Sequence, residues 1–301
     1  MYIIINDGKY TIRKGGGVLN MLGAIAGDMI GQPYEFMVGM KTTDFELLNI
    51  ERNLFTDDSV MTIAIAKAIL DAGVKASDEE LSKMMKKCMI MYGRKHPYAG
   101  YGSSFYNWLY QENPRPYNSW GNGSAMRVGS VAWFFQDDLY RTLDVAKISA
   151  ELTHNHPEGI KGAVSTAHVI WLALNEYDKV EIRNIIKDKY YALNKNCDEI
   201  RKEYKFDVSC QGTVPVAIEC FLEGNNYEEV VRLAVSMGGD SDTLACIAGS
   251  MAEAYYGVPY SIKKKVYQIL PDDLIDCLNQ FNTYITDKLL VESILRKKTE
   301  R

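Results

Sequence analysis

Helical patterns fill this chain from residue 18 onward and constrain its fold more than any other feature. Apolar residues recur at three- and four-residue spacing, and no convincing alternating strand interrupts them. Helix-start signals such as the capping box at Ser77-Asp-Glu-Glu recur, and further helices are expected, among them one over residues 124–136. No change of composition and no linker divides this region. We predict a single all-α domain over residues 18–301, with roughly a dozen helices.

The first 17 residues have a different pattern. Residues 2–5 and 10–13 are rich in β-branched and aromatic side chains, and they flank a turn that contains a glycine. Such a pattern is typical of a β-hairpin. Three glycines at positions 15–17 then provide a joint. We predict that residues 1–17 form a small β-hairpin appended to the helical domain.

Composition and charge exclude several classes of protein. The net charge of -5 gives no general attraction to nucleic acid or to an anionic membrane. The most apolar early stretch, residues 18–30, is too short for a membrane span and carries Asp28. The six cysteines show no C-x-x-C spacing, and no basic region precedes an apolar run at the N-terminus. We therefore expect a cytoplasmic protein without disulfides or a zinc knot.

Two short acidic clusters stand about 180 residues apart, and each precedes an apolar helical run. The first is Thr56-Asp57-Asp58, and the second is Asp240-Ser241-Asp242-Thr243. Together they offer four carboxylates and two threonine hydroxyls, with no His or Cys among them. Oxygen donors of this kind bind hard divalent cations. If the fold brings the clusters together, they form a two-metal hydrolytic centre.

Each acidic cluster also has a simpler interpretation. Thr and Asp are favoured helix N-caps, and acidic residues in a first turn interact favourably with the helix dipole. A cap needs one such residue, however, whereas each cluster supplies at least three oxygen-bearing ones, and adjacent charges repel unless a cation binds. An aspartyl-nucleophile phosphatase would place Asp240 after a buried strand, but residues 227–237 have a helical pattern. We favour metal binding.

Several other polar residues are candidates for a ligand site. Glu35 follows a proline and is either a solvated loop residue or a partly buried carboxylate with a raised pKa. Glycine-rich loops at residues 100–104 and 119–124 can hold phosphate oxygens with backbone N–H groups, although such loops are also common turns. Neither loop has the P-loop or dinucleotide fingerprint.

Two of the four histidines, His154 and His156, lie together in a loop. They could bind zinc, but no further His or Cys cluster completes such a site. They could instead interact with the carbonyl groups at a helix C-terminus. The third possibility is that His154 contacts a nucleotide portion of a ligand. We interpret His96 and His168 as structural residues.

These motifs, taken in order, resemble those of the ADP-ribosylglycohydrolases. This family includes dinitrogenase reductase-activating glycohydrolase and the ADP-ribosyl-acceptor hydrolases. The resemblance extends over about residues 21–259. The matching motifs are Gly27-Asp28-x-x-Gly31-x-x-Tyr34-Glu35, Thr56-Asp57-Asp58-Ser59, Gly100-Tyr101-Gly102, Gly121-Asn122-Gly123-x-Ala125-Met126-Arg127, Thr153-His154-x-His156-Pro157 and Gly238-Gly239-Asp240-Ser241-Asp242-Thr243.

The resemblance implies a compact orthogonal helical bundle and a centre with two Mg²⁺ or Mn²⁺ ions. The implied catalytic residues are Glu35 and Asp57. The implied metal ligands are Thr56, Asp57, Asp58, Asp240, Asp242 and Thr243. The implied substrate-binding residues are Gly100, Tyr101, Gly102, Ser103, Ser119, Trp120, Gly121, Asn122 and His154.

The activity implied by the resemblance is hydrolysis of the glycosidic bond between ADP-ribose and an Arg or Ser side chain. The expected partner is an ADP-ribosylated protein or another ADP-ribose conjugate, with no membrane and with nucleic acid only as a modified substrate. Two alternatives stay open: hydrolysis of a small-molecule or nucleic-acid conjugate, and binding of ADP-ribose without catalysis. Every matched metal position is present in this chain.

Overall fold

The computed structural model describes residues 2–6, 9–14, 17–18 and 21–299, and the side chains of residues 21–290. Within these residues the chain forms fifteen α-helices and one 3-10 helix, Gln32–Tyr34. The all-α prediction for the main domain is confirmed. The helices are Gly23–Gly31 (α1), Asp57–Ala72 (α2), Asp78–Lys95 (α3), Ser103–Tyr110 (α4), Gly123–Met126 (α5), Gly129–Phe134 (α6), Leu139–Glu151 (α7), Pro157–Leu174 (α8), Lys179–Lys189 (α9), Cys197–Glu203 (α10), Cys210–Glu223 (α11), Tyr227–Val235 (α12), Ser241–Tyr256 (α13), Tyr260–Ile269 (α14) and Asp272–Thr299 (α15).

Three short strands precede the helices. They are Tyr2–Asn6 (β1), Lys9–Lys14 (β2) and Gly17–Val18 (β3). Strand β2 lies between the other two and pairs antiparallel with both, with Ile4 opposite Thr11 in the first pair. That residues 1–17 are an extension separate from the helical domain stays a prediction.

The helix expected over residues 124–136 is in fact two short helices, α5 and α6. Arg127 (φ −90°, ψ −5°) and Val128 (φ −85°, ψ −11°) leave helical geometry between them. Helix α10 was not expected from the sequence, because its seven residues are too few to show a clear apolar period. A capping box formed by Asn196 and Glu199 holds its first turn.

Helix α13 is the centre of the fold. Every side chain from residue 241 to residue 254 is buried, and the helix packs against α1, α8, α11 and α12. A helix that is buried on every face in this way forms the core of its domain. None of the helices in the part of the chain that the structure describes has the length and apolarity needed to cross a bilayer.

Glycines allow α1 and α13 to touch backbone to backbone. A Cβ added at Gly23, Gly27 or Gly31 would lie 2.0–2.3 Å from a backbone carbonyl oxygen of α13. The carboxylate of Glu253 in α13 also accepts hydrogen bonds from the backbone N–H groups of Leu22 (2.7 Å) and Gly23 (2.5 Å). Because α1 has no side-chain cap of its own, α13 supplies the acceptor for its first turn.

We expect Gly27→Ala to lower the free energy of unfolding by about 3 kcal/mol, because its Cβ has no space beside the Ala245 carbonyl. Urea denaturation followed by circular dichroism measures this loss. Gly39→Ala is the matched control, since a Cβ at Gly39 would meet no atom within 4 Å. Equal stability of the two variants would contradict the close packing of α1 on α13.

Candidate functional site

The first acidic cluster begins helix α2. Thr56 is its N-cap, and the threonine Oγ1 accepts a hydrogen bond from the backbone N–H of Asp58 (3.3 Å). Asp57 and Asp58 occupy the first turn, where Asp58 is buried. The backbone N–H of Asp57 donates to the carbonyl of Ala99 (2.7 Å). The capping interpretation is therefore correct for Thr56, while the two carboxylates have other surroundings.

The second acidic cluster begins helix α13. Asp240 occupies the N-cap position but makes no capping hydrogen bond with its side chain. It is preceded by Gly238 (φ +73°) and Gly239 (φ +87°), and left-handed backbone of this kind favours glycine. A Cβ at these glycines would lie 2.8 Å from the Val38 carbonyl oxygen and 2.9 Å from the Phe206 Cα. The glycine pair thus lets neighbouring segments approach and leaves the Asp240 carboxylate free to face the site.

A further buried carboxylate, Asp28 of α1, lies beside the first cluster. Its Oδ2 accepts hydrogen bonds from the backbone N–H groups of Thr56 (2.9 Å) and Ser59 (3.1 Å) and from the Ser59 hydroxyl. Its Oδ1 accepts one from the Thr56 hydroxyl (2.8 Å). The sequence analysis missed Asp28 as a site residue. The sequence did offer an indication, because Asp28 is the one charged residue in the otherwise apolar and glycine-rich segment that forms α1.

The two clusters meet at the starts of α2 and α13. The Oγ1 atoms of Thr56 and Thr243 lie 3.1 Å and 3.3 Å from the same oxygen, Oδ2 of Asp58. Two groups of three carboxylates are clustered here, and Asp242 belongs to both. Within each group, one oxygen from each carboxylate lies within 4.8 Å of the others. The first group is Asp28, Asp58 and Asp242, and the second is Glu35, Asp240 and Asp242.

Burial raises the pKa of every carboxyl group in this site. Burial first, and then the charges of Asp240 and Asp28, raise the pKa of Glu35 to about 7. Burial together with the same two neighbours raises the pKa of Asp57 to about 8. The pKa values of Asp58 and Asp242 are raised well above their usual range, again by burial first and neighbouring carboxylates second. Such a cluster is stable only with bound protons or with a cation.

All of these carboxylates except Asp28 line one part of a pocket with a volume of about 420 Å³. Residues 100–104 contribute one wall, and residues 119–123 contribute another. The second loop is fixed by hydrogen bonds from the Asn122 N–H to the Val208 carbonyl (2.8 Å) and from the Asn122 side chain to Asp240 Oδ2 (2.5 Å). The glycine loops and the acidic clusters therefore belong to one cavity.

Most of the residues predicted for the site line this pocket. They are Glu35, Asp57, Asp58, Gly100, Gly102, Ser103, Ser119, Gly121, Asn122, His154, Asp240, Asp242 and Thr243. Thr56 lies just beneath, hydrogen-bonded to Asp28 and Asp58. The functional roles assigned to all of them stay predictions. Ser104, Gly123, Met126 and Arg127, which belong to the loops and motifs noted in the sequence, also line the pocket. The lining residues that the sequence analysis did not single out are Phe36, Met61, Phe105, Tyr117, Phe206 and Val208.

Two of the predicted binding residues lie outside the lining of the pocket. The Tyr101 ring packs against Phe105, and its buried hydroxyl has no hydrogen-bond partner. The Trp120 side chain is 53% exposed and packs edge-on against His156. A ligand contact by either side chain requires a bound molecule to extend beyond the cavity, or the side chain to change rotamer.

The two neighbouring histidines have different environments. His156 caps the N-terminus of α8, where its Nδ1 accepts a hydrogen bond from the Glu158 N–H (3.1 Å). The hypothesis of histidines at a helix C-terminus is therefore wrong for His156. His154 is buried at the pocket, and burial followed by the charge of Arg127 lowers its pKa well below the usual range. His96 and His168 contact Asp273 and Tyr190, as structural residues would.

This chain is similar to several known proteins. The chain is 24% identical to the ADP-ribosylhydrolase ARH3 of Mus musculus, over 79% of this chain and 83% of that protein. It is 23% identical to the ADP-ribosylarginine hydrolase Tri1 of Pseudomonas putida (strain GB-1), over 79% of this chain and 70% of that protein. A solved structure described as "ADP-ribosylglycohydrolase-related protein complex" has the same fold, with a TM-score of 0.64, 20% identity and coverage of 89% of this chain and 94% of that one.

The sequence model of one protein family covers nearly the whole helical region. Its description is ADP-ribosylglycohydrolase, and it matches residues 19–299. The match includes both acidic clusters, both glycine loops and His154, which the fold brings to one cavity. This chain belongs to the ADP-ribosylglycohydrolase family.

Proposed function

We propose that this chain hydrolyses the glycosidic bond between ADP-ribose and an acceptor side chain of a modified protein. The observation that carries the proposal is the position of Asp242. It belongs to both groups of clustered carboxylates, and it lines a pocket whose other walls are the two glycine-rich loops. Family membership supports the reaction, and the names of the two relatives describe hydrolases of ADP-ribosyl compounds.

The donors in the site fit two Mg²⁺ or Mn²⁺ ions. All are oxygens, as these hard cations require. Asp58 Oδ1 is buried without a hydrogen-bond partner, and such an atom is costly unless something binds it. The oxygens of Asp28 already accept four hydrogen bonds from Thr56 and Ser59, so Asp28 would orient Thr56 from outside the ligand set. The ligands would then be Thr56, Asp57, Asp58, Asp240, Asp242 and Thr243, as the resemblance implies.

Ions held by these residues would lower the pKa of a coordinated water toward neutrality and would orient the substrate. Hydrolysis itself breaks the bond from the ribose C1″ to the acceptor atom and forms a bond from C1″ to a water oxygen. A proton must leave the water, and another must reach the acceptor. Glu35 lines the pocket beside Asp240 and Asp242, and its carboxylate can accept a proton and return it. Asp57 lines the same cavity and is the second candidate for this relay.

The remaining walls of the pocket suit a diphosphate and an adenosine. Arg127 is the one cationic side chain among the described residues that line the cavity, and it is buried. Both Nη atoms of Arg127 already donate to protein acceptors. Phosphate oxygens would therefore be bound chiefly by neutral donors, the N–H groups of the loops at residues 100–104 and 119–123. The rings of Tyr117 and Phe206 offer apolar surface for the base and ribose.

A hydrolysis screen tests this function. Arg-linked, Ser-linked and nucleic-acid-linked ADP-ribose are each incubated with the protein in Mg²⁺, in Mn²⁺ and in chelator, and free ADP-ribose is quantified. We expect release from a protein-linked substrate that depends on the divalent ion. Release from the nucleic-acid conjugate alone would favour the alternative substrate class. Calorimetric binding of ADP-ribose without release from any substrate would refute catalysis.

The raised pKa values predict a specific pH dependence of stability without metal. A carboxyl group with a higher pKa in the folded state binds more protons when folded, so its contribution to stability is present at low pH and is lost as the pH rises. For Glu35 the loss extends from about pH 4.5 to about 7, and for Asp57 from about 3.8 to about 8. In chelator, we expect the Tm to fall as the pH rises through this window.

Saturating Mg²⁺ should reverse that fall, because a cation stabilises the ionised carboxylates of the folded state. Differential scanning fluorimetry at matched ionic strength, with and without Mg²⁺, measures the difference. A Tm in chelator that rises between pH 5 and pH 8, or that Mg²⁺ leaves unchanged at pH 8, would contradict a metal site built from these carboxylates.

A further inference from the structure

Beneath the loop at residues 119–123, Arg127 is buried among neutral acceptors. Its Nη1 donates to the Gly123 carbonyl (3.0 Å), and its Nη2 donates to the Ser149 carbonyl (2.8 Å) and to Thr153 Oγ1 (2.9 Å). Burial lowers the pKa of Arg127 only to about 10, so the guanidinium stays charged at neutral pH. A guanidinium can only donate hydrogen bonds, and Thr153 Oγ1 must therefore act as the acceptor in this pair.

The Thr153 hydroxyl also contacts His154, and its hydrogen-bonding role there depends on the contact with Arg127. Its Oγ1 lies 2.7 Å from Nδ1 of the histidine, and the Thr153 side chain is fully buried. No other acceptor for the hydroxyl proton is present among the described residues. If Nδ1 carried a proton, the oxygen would face two donors and its own hydrogen would be buried unpaired, which is costly. The hydroxyl therefore donates to Nδ1.

We propose that Arg127 and Thr153 are positioning residues that hold His154 as the neutral tautomer protonated at Nε2, with this N–H presented to an oxygen of bound ADP-ribose. The ligand half of the proposal rests on the proposed function. His154 Nε2 lies beside Gly121 and Gly123, 3.4 Å and 3.2 Å from the positions that a Cβ would take there. It has no protein hydrogen-bond partner among the described residues.

The acceptor in the ligand follows from this arrangement. A single N–H from a neutral ring in a wall of glycine backbone suits an oxygen that only accepts hydrogen bonds, such as a phosphoryl oxygen. Two titratable or charged groups of the described residues face the ring: Arg127 on one side, and the Tyr117 ring, whose centroid is 5.9 Å away. Arg127 disfavours the imidazolium, and Tyr117 is neutral because burial raises its pKa to about 12. The donor should therefore be unaffected by pH across the neutral range.

Nuclear magnetic resonance of the ligand-free, full-length protein with ¹⁵N-labelled histidine tests the relay directly. We expect His154 to show the pattern of a neutral ring with its proton on Nε2. Thr153→Val, which removes the hydroxyl at nearly constant volume, should give a mixture of tautomers, whereas Thr153→Ser should keep the single form. A proton on Nδ1 in the wild-type protein, or an unchanged pattern in Thr153→Val, would overturn the proposal.

Calorimetric titration of the same proteins with ADP-ribose in Mg²⁺ tests the ligand contact. We expect Thr153→Val to weaken binding about three- to tenfold and Thr153→Ser to stay within about twofold of the wild-type protein. Equal affinity in all three proteins would refute the hydrogen bond to the ligand. Absence of ADP-ribose binding by the wild-type protein would refute the proposed function, while the resonance experiment would still decide the tautomer.

Discussion

Replacing Asp242 by Asn should reduce kcat/KM for an ADP-ribosylated substrate by about a thousandfold or more. Asp242 is the one carboxylate common to both groups of clustered oxygens, so its loss would weaken the binding of both proposed ions. Metal ions contribute several kcal/mol of charge stabilisation to such reactions, and each 1.36 kcal/mol corresponds to a factor of ten in rate. Release of free ADP-ribose over a range of Mg²⁺ concentrations measures the effect.

The same substitution should have the opposite effect on stability in chelator. A neutral amide in place of a buried carboxylate removes repulsion with Asp58 and Asp240, so the Tm without metal should rise. The stabilisation by Mg²⁺ should be largely lost. Asp144→Asn on the exposed surface of α7 is the matched control, and it should change neither quantity. An Asp242→Asn variant with full activity in chelator-treated buffer would end the metal hypothesis.

Glu35→Gln should lower kcat by about 10²- to 10⁴-fold and change the affinity for ADP-ribose by less than about threefold. The amide preserves size and hydrogen-bonding reach but cannot accept a proton from water. Glu35 is suited to that role because its carboxyl group is half-buried in the pocket beside Asp240 and Asp242. The acid limb of the pH profile of kcat/KM should also disappear in the variant.

A matched control for Glu35→Gln lies in the same stretch of chain. Glu46 is exposed, and Glu46→Gln should retain wild-type kcat. Single-turnover kinetics separates the chemical step from product release, and calorimetry gives the affinity independently. If Glu35→Gln weakens binding but leaves kcat intact, Glu35 holds substrate and does not transfer the proton.

The sequence predicted the helical class and the meeting of the two acidic clusters for identifiable reasons. Helical periodicity persists through most of the chain, and oxygen-rich clusters at two helix starts can share cations only if the helices meet. Thr56 and Thr243 do meet, around a single oxygen of Asp58. The short helix α10 was missed because seven residues show too little of a period, and one expected helix is divided at Arg127.

Other parts of the site depend on packing that the sequence does not reveal. Asp28 was used as evidence against a membrane span, whereas its four hydrogen bonds to Thr56 and Ser59 join α1 to the start of α2, a contact between separate elements. The contact from Arg127 to Thr153 likewise joins residues of different elements. Tyr101 and Trp120 were predicted from the family resemblance of their loops, and their side chains pack outside the lining of the cavity.

The contact between α1 and α13 also limits how early in protein synthesis the site can fold. Leu22 and Glu253 are 231 residues apart, so a nascent chain on the ribosome carries α1 with an uncovered glycine stripe for most of its synthesis. Asp240 and Asp242 emerge only after the other acidic residues of the site have been made. The proposed cation site can therefore form only after most of the chain has been synthesised. Chains that terminate before residue 240 should aggregate and should not bind Mg²⁺ at this site.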